Sequence, residues 1–571
     1  EITKLSFFLK VAPTKAVLPV LENNIKNGNS LIDNESFPKG FDWKTKFQKI
    51  IQNGGFDVII GNPPYIKEYT NKPVFEDVKN SKSSVSEYYE GKMDYWYMFT
   101  CISLDLLKEG GYHSFIATNN WNTASGATIL RNKIIAETKI LRYIDFVDFK
   151  VFNNADQQTM IFILRKDSSD NSFTTRCNRI LEKSILEDDV KSFLNGGKIP
   201  KGIDNYKAKL EREKDKTVLF LDSEIADIRE KIRKKGNYFL QDEEVGTGID
   251  VHQDFVNDGH LSKLKNPKIK KRDGIFVLSS SEKNQMKFSV KENELIKPYY
   301  TSDELYRFWG NKNNEYWVIY TNKEKREKIS EYQKIKQHLD KFKTIITSDS
   351  KPYGLHRARN ENFFLGEKIV SLRKTPIPRF TFTDFPCYVS QTFFVIKPTD
   401  LNMKFLTGFL NSKIVYFWLY MEKKQGSNLQ VDKGPLQSIP IAVPDEPTQK
   451  SVVDKVDSIM KITKEFVQEK KSFLQRIEEQ FGKSNTTKIE EFWKLSFTDI
   501  LDQIQSTEQR LSPQDREDWE KFFEEKRKAC AQLEESMREI ETEIDEIFYK
   551  LYQLTPDEIE KITSKGLGIG S

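Results

Sequence analysis

Cysteine and histidine are both scarce in this sequence. The four cysteines, Cys101, Cys177, Cys387 and Cys530, lie far apart and form no CxxC pair. This spacing predicts free thiols in a reducing cytoplasm, and it argues against a disulfide framework or a zinc site. The five histidines are scattered, so their spacing offers no set of metal ligands.

Long apolar runs are absent as well, so no segment is predicted to span a membrane. Residues 1–4 contain neither a methionine nor a signal-peptide pattern, which favours an excised piece of a longer cytoplasmic protein. The net charge of +5 is too small to require or to exclude a nucleic acid partner. The local distribution of charge therefore matters more than the total.

The patterns in the chain change along its 571 residues, which are too many for one hydrophobic core. Residues 1–165 alternate short apolar runs with helical periodicity, which predicts an α/β domain with a doubly wound sheet. Residues 166–220 are polar and are predicted to be a connector with short helices. Residues 221–445 contain short β-like runs between turns and are predicted to form a mixed α+β domain. Residues 446–571 are predicted to be helical.

Within the first domain, the run 56–60 is typical of a buried parallel strand. Periodicity predicts a helix over 95–106, ended by Gly110-Gly111. The further predicted elements are strands at 112–118, 140–146 and 159–164 and a helix at 127–137.

The C-terminal region carries an apolar seam with steps of three and four residues. Its members are Leu533, Met537, Ile540, Ile544, Ile547 and Leu551. Ser512-Pro513 and Thr555-Pro556 are predicted helix starts, because each cap is followed by an acid three residues later. An antiparallel helical hairpin is the favoured interpretation, and a dimerising coiled coil that would let the protein self-associate is the alternative.

The sequence Asn62-Pro63-Pro64-Tyr65 directly follows the predicted strand at 56–60. Ligands of doubly wound sheets bind at the carboxyl ends of strands, so a site is expected here. The prolines make the loop stiff and remove two amide donors, which leaves the Asn62 side-chain oxygen and the Pro63 carbonyl as acceptors. Such acceptors favour the nucleophilic form of an exocyclic amine, and Tyr65 offers a ring face to a base.

These residues resemble the adenine-N6 DNA methyltransferases of the TaqI-like gamma class, especially their form in type IIG restriction–modification enzymes. Residues 25–31, 94–107, 110–121 and 151–164 resemble further motifs of that family. The resemblance implies a class I methyltransferase fold with S-adenosylmethionine as cofactor, bound by Asn29, Ser30, Leu31 and Asn62. It also implies that Phe152 and Tyr65 stack on a flipped-out adenine. An ordinary core phenylalanine is the alternative for Phe152.

Residues 295–299, 316–322, 410–418 and 434–441 resemble the family's target-recognition domain, and 544–559 its closing helices. The family's glycine-rich cofactor loop is not found in residues 1–61, so the sheet is expected to be incomplete at its N-terminus and the chain inactive alone. Gly246-Thr247-Gly248 is predicted to be a turn. A permuted enzyme whose cofactor loop is Gly566 to Gly570 is the alternative.

Three basic groups are predicted to contact double-stranded DNA. They are Lys270, Lys271 and Arg272; Arg357 and Arg359; and Lys424 with Asn428. Arg357, Arg359 and Asn428 are predicted to contact base edges, and a solvated charged face is the alternative for each group. The predicted function is methylation of adenine N6 in DNA, by an enzyme of a restriction–modification or phage-defence system. The sequence does not determine whether the full-length enzyme also carries a nuclease. The alternatives are methylation of RNA or of a protein glutamine, or a non-catalytic specificity module.

Overall fold

The computed structural model describes residues 23–152, 157–182, 184–422, 424–425, 428–481, 489–504 and 512–563, together with Thr3 and Ser6. The predicted permuted loop at Gly566 to Gly570 lies outside the described residues. The chain divides into two compact units, Glu1–Asp227 and Ile228–Ser571, here called unit 1 and unit 2. No helix among the described residues is long and apolar enough to cross a membrane.

Unit 1 is built on one six-stranded sheet with the strand order β1-β2-β4-β3-β5-β6. The strands are β1 (Phe56–Gly61), β2 (Leu107–Thr118), β3 (Thr138–Asp145), β4 (Thr159–Lys166), β5 (Ser172–Ile180) and β6 (Ile203–Glu211). The helices are α1 (Trp43–Lys46), α2 (Gln48–Gln52), α3 (Lys72–Asn80), α4 (Tyr95–Leu106), α5 (Thr128–Glu137) and α6 (Glu187–Leu194). The predicted α/β character of this region is confirmed.

The strand directions decide which loops share an edge of this sheet. β1 pairs with β2 in parallel, and β4 lies antiparallel between β2 and β3. The strands β1, β2 and β3 therefore all end at the same edge, where β4 begins. On one face of the sheet, α4 buries Trp96, Met98 and Leu104 against the main core of the unit.

Two local predictions for unit 1 are wrong. Gly110-Gly111 does not end α4, because Leu107 already has extended backbone and β2 runs through both glycines. The glycines instead serve a bulge where the register with β1 shifts, and Gly110 has a φ of 77° that favours glycine. The strand β1 is parallel as predicted but not buried. Val58 and Ile60 are 55% and 74% exposed, because no described residue covers their face.

The region 166–220 differs from the predicted connector, because β5, α6 and β6 lie within it. β5 pairs with β3 and with β6, so the hairpin extends the sheet. The inward positions of this hairpin include Thr175, Cys177 and Ala208, which are small or polar residues rather than an apolar run. Because these inward positions lack large apolar side chains, the sequence shows no apolar alternation that would predict the two strands.

Unit 2 contains sheets of five, four and three strands, ordered β10-β14-β12-β16-β7, β15-β9-β11-β8 and β13-β18-β17. The strands are β7 (Val245–Thr247), β8 (Val277–Ser279), β9 (Ile296–Tyr300), β10 (Phe308–Trp309), β11 (Tyr316–Ile319), β12 (Lys368–Leu372), β13 (Lys374–Thr375), β14 (Phe380–Thr383), β15 (Tyr388–Val389), β16 (Phe393–Ile396), β17 (Lys424–Gln425) and β18 (Asn428–Gln430). The mixed character predicted for 221–445 agrees with these elements.

The predicted turn at Gly246-Thr247-Gly248 is wrong, because Gly246 and Thr247 belong to β7, which pairs with β16. The glycines serve close packing. A Cβ on Gly248 would lie 2.0 Å from the carbonyl oxygen of Ser390, and one on Gly246 would meet the ring of Phe363 at 2.8 Å.

The helices that follow α6 begin with α7 (Ser223–Lys235), which spans the boundary between the units. The others are α8 (Asp258–Leu264), α9 (Ser280–Met286), α10 (Val290–Asn293), α11 (Lys323–Glu327), α12 (Gln333–Asp340), α13 (Met403–Leu410), α14 (Lys413–Glu422), α15 (Lys433–Ser438), α16 (Glu446–Phe481), α17 (Phe497–Ile504), α18 (Pro513–Leu551) and α19 (Pro556–Thr563).

The long helices α16 and α18 form the predicted antiparallel hairpin. Thr463 donates a hydrogen bond to Met537 (3.4 Å), and Lys526 pairs with Glu469 (2.7 Å), so residue numbers rise on one helix as they fall on the other. Ser512 caps α18 as predicted, since its side chain accepts from the Asp515 N–H. Self-association through these helices stays a prediction.

Candidate active site at the carboxyl edge of the sheet

The loop of residues 62–65 leaves the carboxyl end of β1, where the sequence placed it. Asn62 is exposed, Pro63 is buried and Tyr65 is half-buried. Pro63 therefore anchors the loop in the protein while the Asn62 carboxamide stays accessible to a ligand. The loop thus combines a fixed backbone with an exposed acceptor.

The Tyr65 hydroxyl lies 2.9 Å from Asn62 Oδ1 and 2.9 Å from the Ile116 carbonyl oxygen on β2. Burial raises the pKa of Tyr65 to about 12, so the hydroxyl keeps its proton at neutral pH and acts as a donor. A carboxamide oxygen has two lone pairs. Asn62 Oδ1 can therefore accept from Tyr65 and still accept from a ligand amine.

The chain after Tyr65 is clamped to the segment that leads into α4. The Tyr95 N–H donates to the Ile66 carbonyl (2.8 Å), and the Glu68 N–H donates to the Met93 carbonyl (3.1 Å). Lys67 and Asp94 form the bridge between these two bonds. The clamp fixes the exit of the loop, as Pro63 fixes its entry.

Asp94 is a buried acid beside this clamp that the sequence indicated only as the start of a family motif. Thr118 at the end of β2 donates to Asp94 Oδ2 (3.2 Å) and accepts from the Trp96 indole N–H (2.9 Å). Burial raises the pKa of Asp94, and the nearby Lys67 charge opposes that shift. Its position directly before α4 was the available clue, because acids are common at helix starts.

The remaining strand ends at this edge are lined by polar side chains. Asn119 donates to Asp145 Oδ1 (2.9 Å), and Gln158 donates to Asp148 Oδ1 (2.8 Å). The Asn119 N–H also bonds to the Gln158 carbonyl (3.2 Å), which ties the end of β2 to the start of β4. The edge is therefore a connected polar surface beside Asn62.

Phe152 follows β3 and lies at the same edge as Tyr65. Phe149 and Val151 pack against a small core around Phe146, whereas Phe152 is half-buried and, among the described residues, belongs to no core cluster. The stacking role of Phe152 stays a prediction. The strands β1 and β3 are three spacings of about 4.8 Å apart, roughly 14 Å, so their loops must lean together to hold one base.

The residues predicted to hold the cofactor form a compact turn. Asn29 Oδ1 accepts from the Leu31 N–H (3.2 Å), and the Ser30 carbonyl accepts from the Trp43 indole N–H (2.9 Å). Leu31 is buried. Amide and hydroxyl groups beside a buried leucine suit a nucleoside, so the donor set fits S-adenosylmethionine.

In unit 2, two of the predicted basic groups lie along one segment, residues 248–258. Arg359 Nε donates to the Gly248 carbonyl (3.4 Å), and the Arg357 backbone pairs with Asp250. Further along, the Arg272 N–H donates to the Val256 carbonyl (2.8 Å), and Lys271 pairs with Asp258 (2.7 Å). Lys270, Lys271, Arg272, Arg357 and Arg359 are all exposed.

The third basic group is separate. Lys424 and Asn428 lie on the paired strands β17 and β18, where Asn428 is half-buried and the Lys424 side chain lies outside the described part. Arg373, next to β13, was not among the predicted DNA contacts, and its charge acts on Arg359. Burial, followed by the nearby charge of Arg357, lowers the pKa of Arg359, and Arg373 adds to the effect. The sequence signal that could have identified Arg373 is the basic pair Arg373-Lys374 after an apolar strand.

Three protein-family models match the chain. Residues 1–152 match the Eco57I restriction-modification methylase, residues 311–476 the type I restriction modification DNA specificity domain, and residues 445–548 a domain of unknown function. The first match contains the loop 62–65. The second contains Arg357, Arg359 and Asn428, and it does not reach Lys270.

Among curated proteins, the type II restriction enzyme and methyltransferase RM.Eco57I of Escherichia coli is 27% identical over 57% of this chain and 31% of its own length. The type II methyltransferase M.HindII of Haemophilus influenzae is 21% identical over 67% of this chain and 74% of its own length. These relatives are type II restriction–modification methyltransferases. The chain spans about a third of RM.Eco57I.

Among solved structures, the type IIL restriction-modification enzyme MmeI in complex with DNA aligns at 12% identity and a TM-score of 0.47, over 92% of this chain and 59% of that one.

Proposed function

We propose that the chain is the methyltransferase and DNA-recognition part of a restriction–modification enzyme, and that it methylates N6 of adenine in double-stranded DNA. The observation that carries the proposal is the exposed Asn62 carboxamide at the end of β1, oriented by the Tyr65 hydroxyl. The methylase match over residues 1–152 and the DNA-specificity match over 311–476 support it.

The chemistry follows from the acceptors in the loop. The lone pair of an adenine amine is delocalised into the ring, which makes the amine a poor nucleophile. Asn62 Oδ1 and the Pro63 carbonyl would accept its two N–H groups and so favour the form whose lone pair points at the methyl donor. Aligned dipoles of this kind need no reorganisation during the reaction.

S-adenosylmethionine would supply a methyl group activated by its sulfonium charge. Asn29, Ser30, Leu31 and Asn62 are the residues proposed to hold it. A duplex hides the adenine amine, so the base must leave the helix to reach Asn62. Tyr65 and Phe152 would then stack on its two faces, and the basic loops of unit 2 would hold the DNA.

The test is the chemical identity of the product. The full-length protein is incubated with duplex DNA and S-adenosylmethionine, and the digested nucleosides are separated by mass spectrometry. We expect 6-methyladenine from the wild type, and about 10²- to 10³-fold slower formation of it by Asn62→Ala. Methylcytosine would contradict the adenine assignment. Methylated RNA or protein glutamine, with DNA unmodified, would support the other methyltransferase classes.

A further inference from the structure

The backbone that carries Arg357 and Arg359 is held from two sides. The Arg357 N–H donates to the Asp250 carbonyl (3.1 Å), and the Asp250 N–H donates back to the Arg357 carbonyl (3.0 Å). The buried Tyr320 hydroxyl lies 3.2 Å from the carbonyl oxygens of both Ala358 and Arg359. These contacts hold the backbone of the loop without using the side chains of Arg357 and Arg359.

An imidazole pair supports the same loop from a third side. His356 stacks on His252 with ring centroids 5.2 Å apart, and His356 Nδ1 accepts from the Asp349 N–H (3.2 Å). His252 Nε2 lies 3.1 Å from Thr347 Oγ1. Each ring therefore has a polar partner of its own, so the stack is a fixed part of the fold.

The backbone is strained at His252 and at Arg359, which lie on the two segments that these contacts join. His252 has a φ of 67° and Arg359 a φ of 68°, in the left-handed region that residues with a Cβ avoid. Such strain persists where the surrounding contacts hold it, and it concentrates at functional sites. Here the strained backbone is held by the same contacts that position Arg357 and Arg359.

The guanidinium groups of Arg357 and Arg359 are not held by close carboxylates, although the charge of Asp250 acts on Arg359. Among the described residues, neither Arg357 nor Arg359 has a carboxylate within ion-pair distance, whereas Lys271 pairs with Asp258 and Arg373 with Asp432 (2.8 Å). Arg359 is tethered through Nε to Gly248. Arg357 is exposed, and its fork of donors is available to a ligand.

We infer that Arg357 forms two hydrogen bonds to O6 and N7 of one guanine in the DNA target, and that His252 and Tyr320 are positioning residues for it. The inference rests on the proposed DNA substrate. Arginine matches these two acceptors in the major groove, and this is the commonest specific contact to a base. A pre-fixed loop lowers the ordering cost of binding, which favours base-edge contact over the looser contacts that phosphates accept.

The test uses the full-length protein and a DNA duplex that contains its target sequence. The position of the methylated base identifies that sequence. Each guanine of that duplex is replaced in turn by 7-deazaguanine, which lacks N7, or by inosine, which keeps O6 and N7. We expect one 7-deazaguanine position to weaken binding, while inosine there changes affinity less than about twofold. Arg357→Ala should weaken binding to unmodified DNA about 5- to 150-fold, and 7-deazaguanine should then add no further loss.

His252→Asn and Tyr320→Phe test the positioning role. Asparagine tolerates the left-handed backbone but cannot stack, and phenylalanine keeps the ring but loses the donor. Both should reduce the discrimination against 7-deazaguanine without changing the salt dependence of binding.

Three results would overturn the inference while leaving the proposed function standing. They are a target without guanine, full discrimination by Arg357→Ala, or a salt slope about one unit lower in Arg357→Ala with unchanged discrimination, which would make Arg357 a phosphate contact. Failure of the wild-type protein to methylate DNA would instead refute the proposed function.

Discussion

The loop of residues 62–65 in unit 1 and the loop of residues 356–359 in unit 2 are both rigid, but they achieve this differently. In unit 1, two prolines and the hydrogen bond from Tyr65 to Asn62 fix neutral acceptors. In unit 2, backbone pairing and the contacts around two strained residues fix the backbone that carries Arg357 and Arg359. On the proposed function, the difference follows from the ligands. A reacting amine needs aligned neutral acceptors, whereas a polyanion with base edges needs charged donors.

Unit 2 also buries several charged side chains, and Asp545 on α18 is one whose effect on stability can be tested. Its carboxylate accepts from the Lys413 N–H at the start of α14 (2.7 Å). Burial raises the pKa of Asp545 from its ordinary value to about 7, with the Lys413 hydrogen bond and then the charge of Arg307 opposing the shift. Between these two values the folded state holds a proton that the unfolded state has released.

The free energy of unfolding should therefore fall as the pH rises from 5 to 8. The decrease is at most about 3 kcal/mol, from two pKa units at about 1.4 kcal/mol each. Asp545→Asn keeps an acceptor for Lys413 and should lose less stability over this range. Urea unfolding of both proteins at pH 5 and pH 8 measures the difference. Equal decreases would mean that Asp545 titrates as an ordinary surface acid.

The second prediction concerns the ring faces in unit 1. If Tyr65 and Phe152 stack on the flipped base, each alanine substitution should remove about 1–3 kcal/mol of stacking. A 2-aminopurine at the target position should then brighten less on binding than with the wild-type protein. Tyr65→Phe is the matched control, since it keeps the ring and should keep the brightening. Full brightening with both alanine variants would leave the two rings without this role.

The smallest expected effect concerns the exposed loop in unit 2. Replacing Lys270, Lys271 and Arg272 by glutamine should lower the slope of log affinity against log salt by up to about one unit for each phosphate that is no longer neutralised. Lys271 already pairs with Asp258, so it should contribute least. Lys521→Gln, an exposed position on α18, is the control. A slope unchanged by the triple substitution would assign this loop to the solvated surface.

The sequence predicted those elements whose apolar pattern is strong. The run at β1, the periodicity of α4 and the seam of α18 each indicated an element of the right type. The β5–β6 hairpin was missed because its inward positions hold Thr175, Cys177 and Ala208. The glycine pairs at 110–111 and 246–248 were misassigned, because a bulge with a positive φ and close approach of a neighbouring segment leave the same sequence pattern as a helix end or a turn.

In the candidate site, a loop of residues that are neighbours in sequence could be predicted, whereas contacts between distant residues could not. Asn62 and Tyr65 are neighbours in sequence, so their loop could be predicted, although the hydrogen bond between them could not. The link of Trp96 and Asp94 through Thr118 joins residues more than twenty positions apart. Likewise, nothing in the sequence connects His252 to His356, since a ring stack between distant residues depends on how the chain folds.

The claim that the reaction depends on the Asn62 carboxamide is tested most directly by the single-turnover rate of methyl transfer at saturating DNA, in the full-length protein. Asn62→Ala should lower this rate about 10²- to 10³-fold, as the removal of other preorganised groups does. Its affinity for DNA should stay within about twofold of the wild type, because the basic loops of unit 2 are untouched. A normal transfer rate in Asn62→Ala would contradict the account.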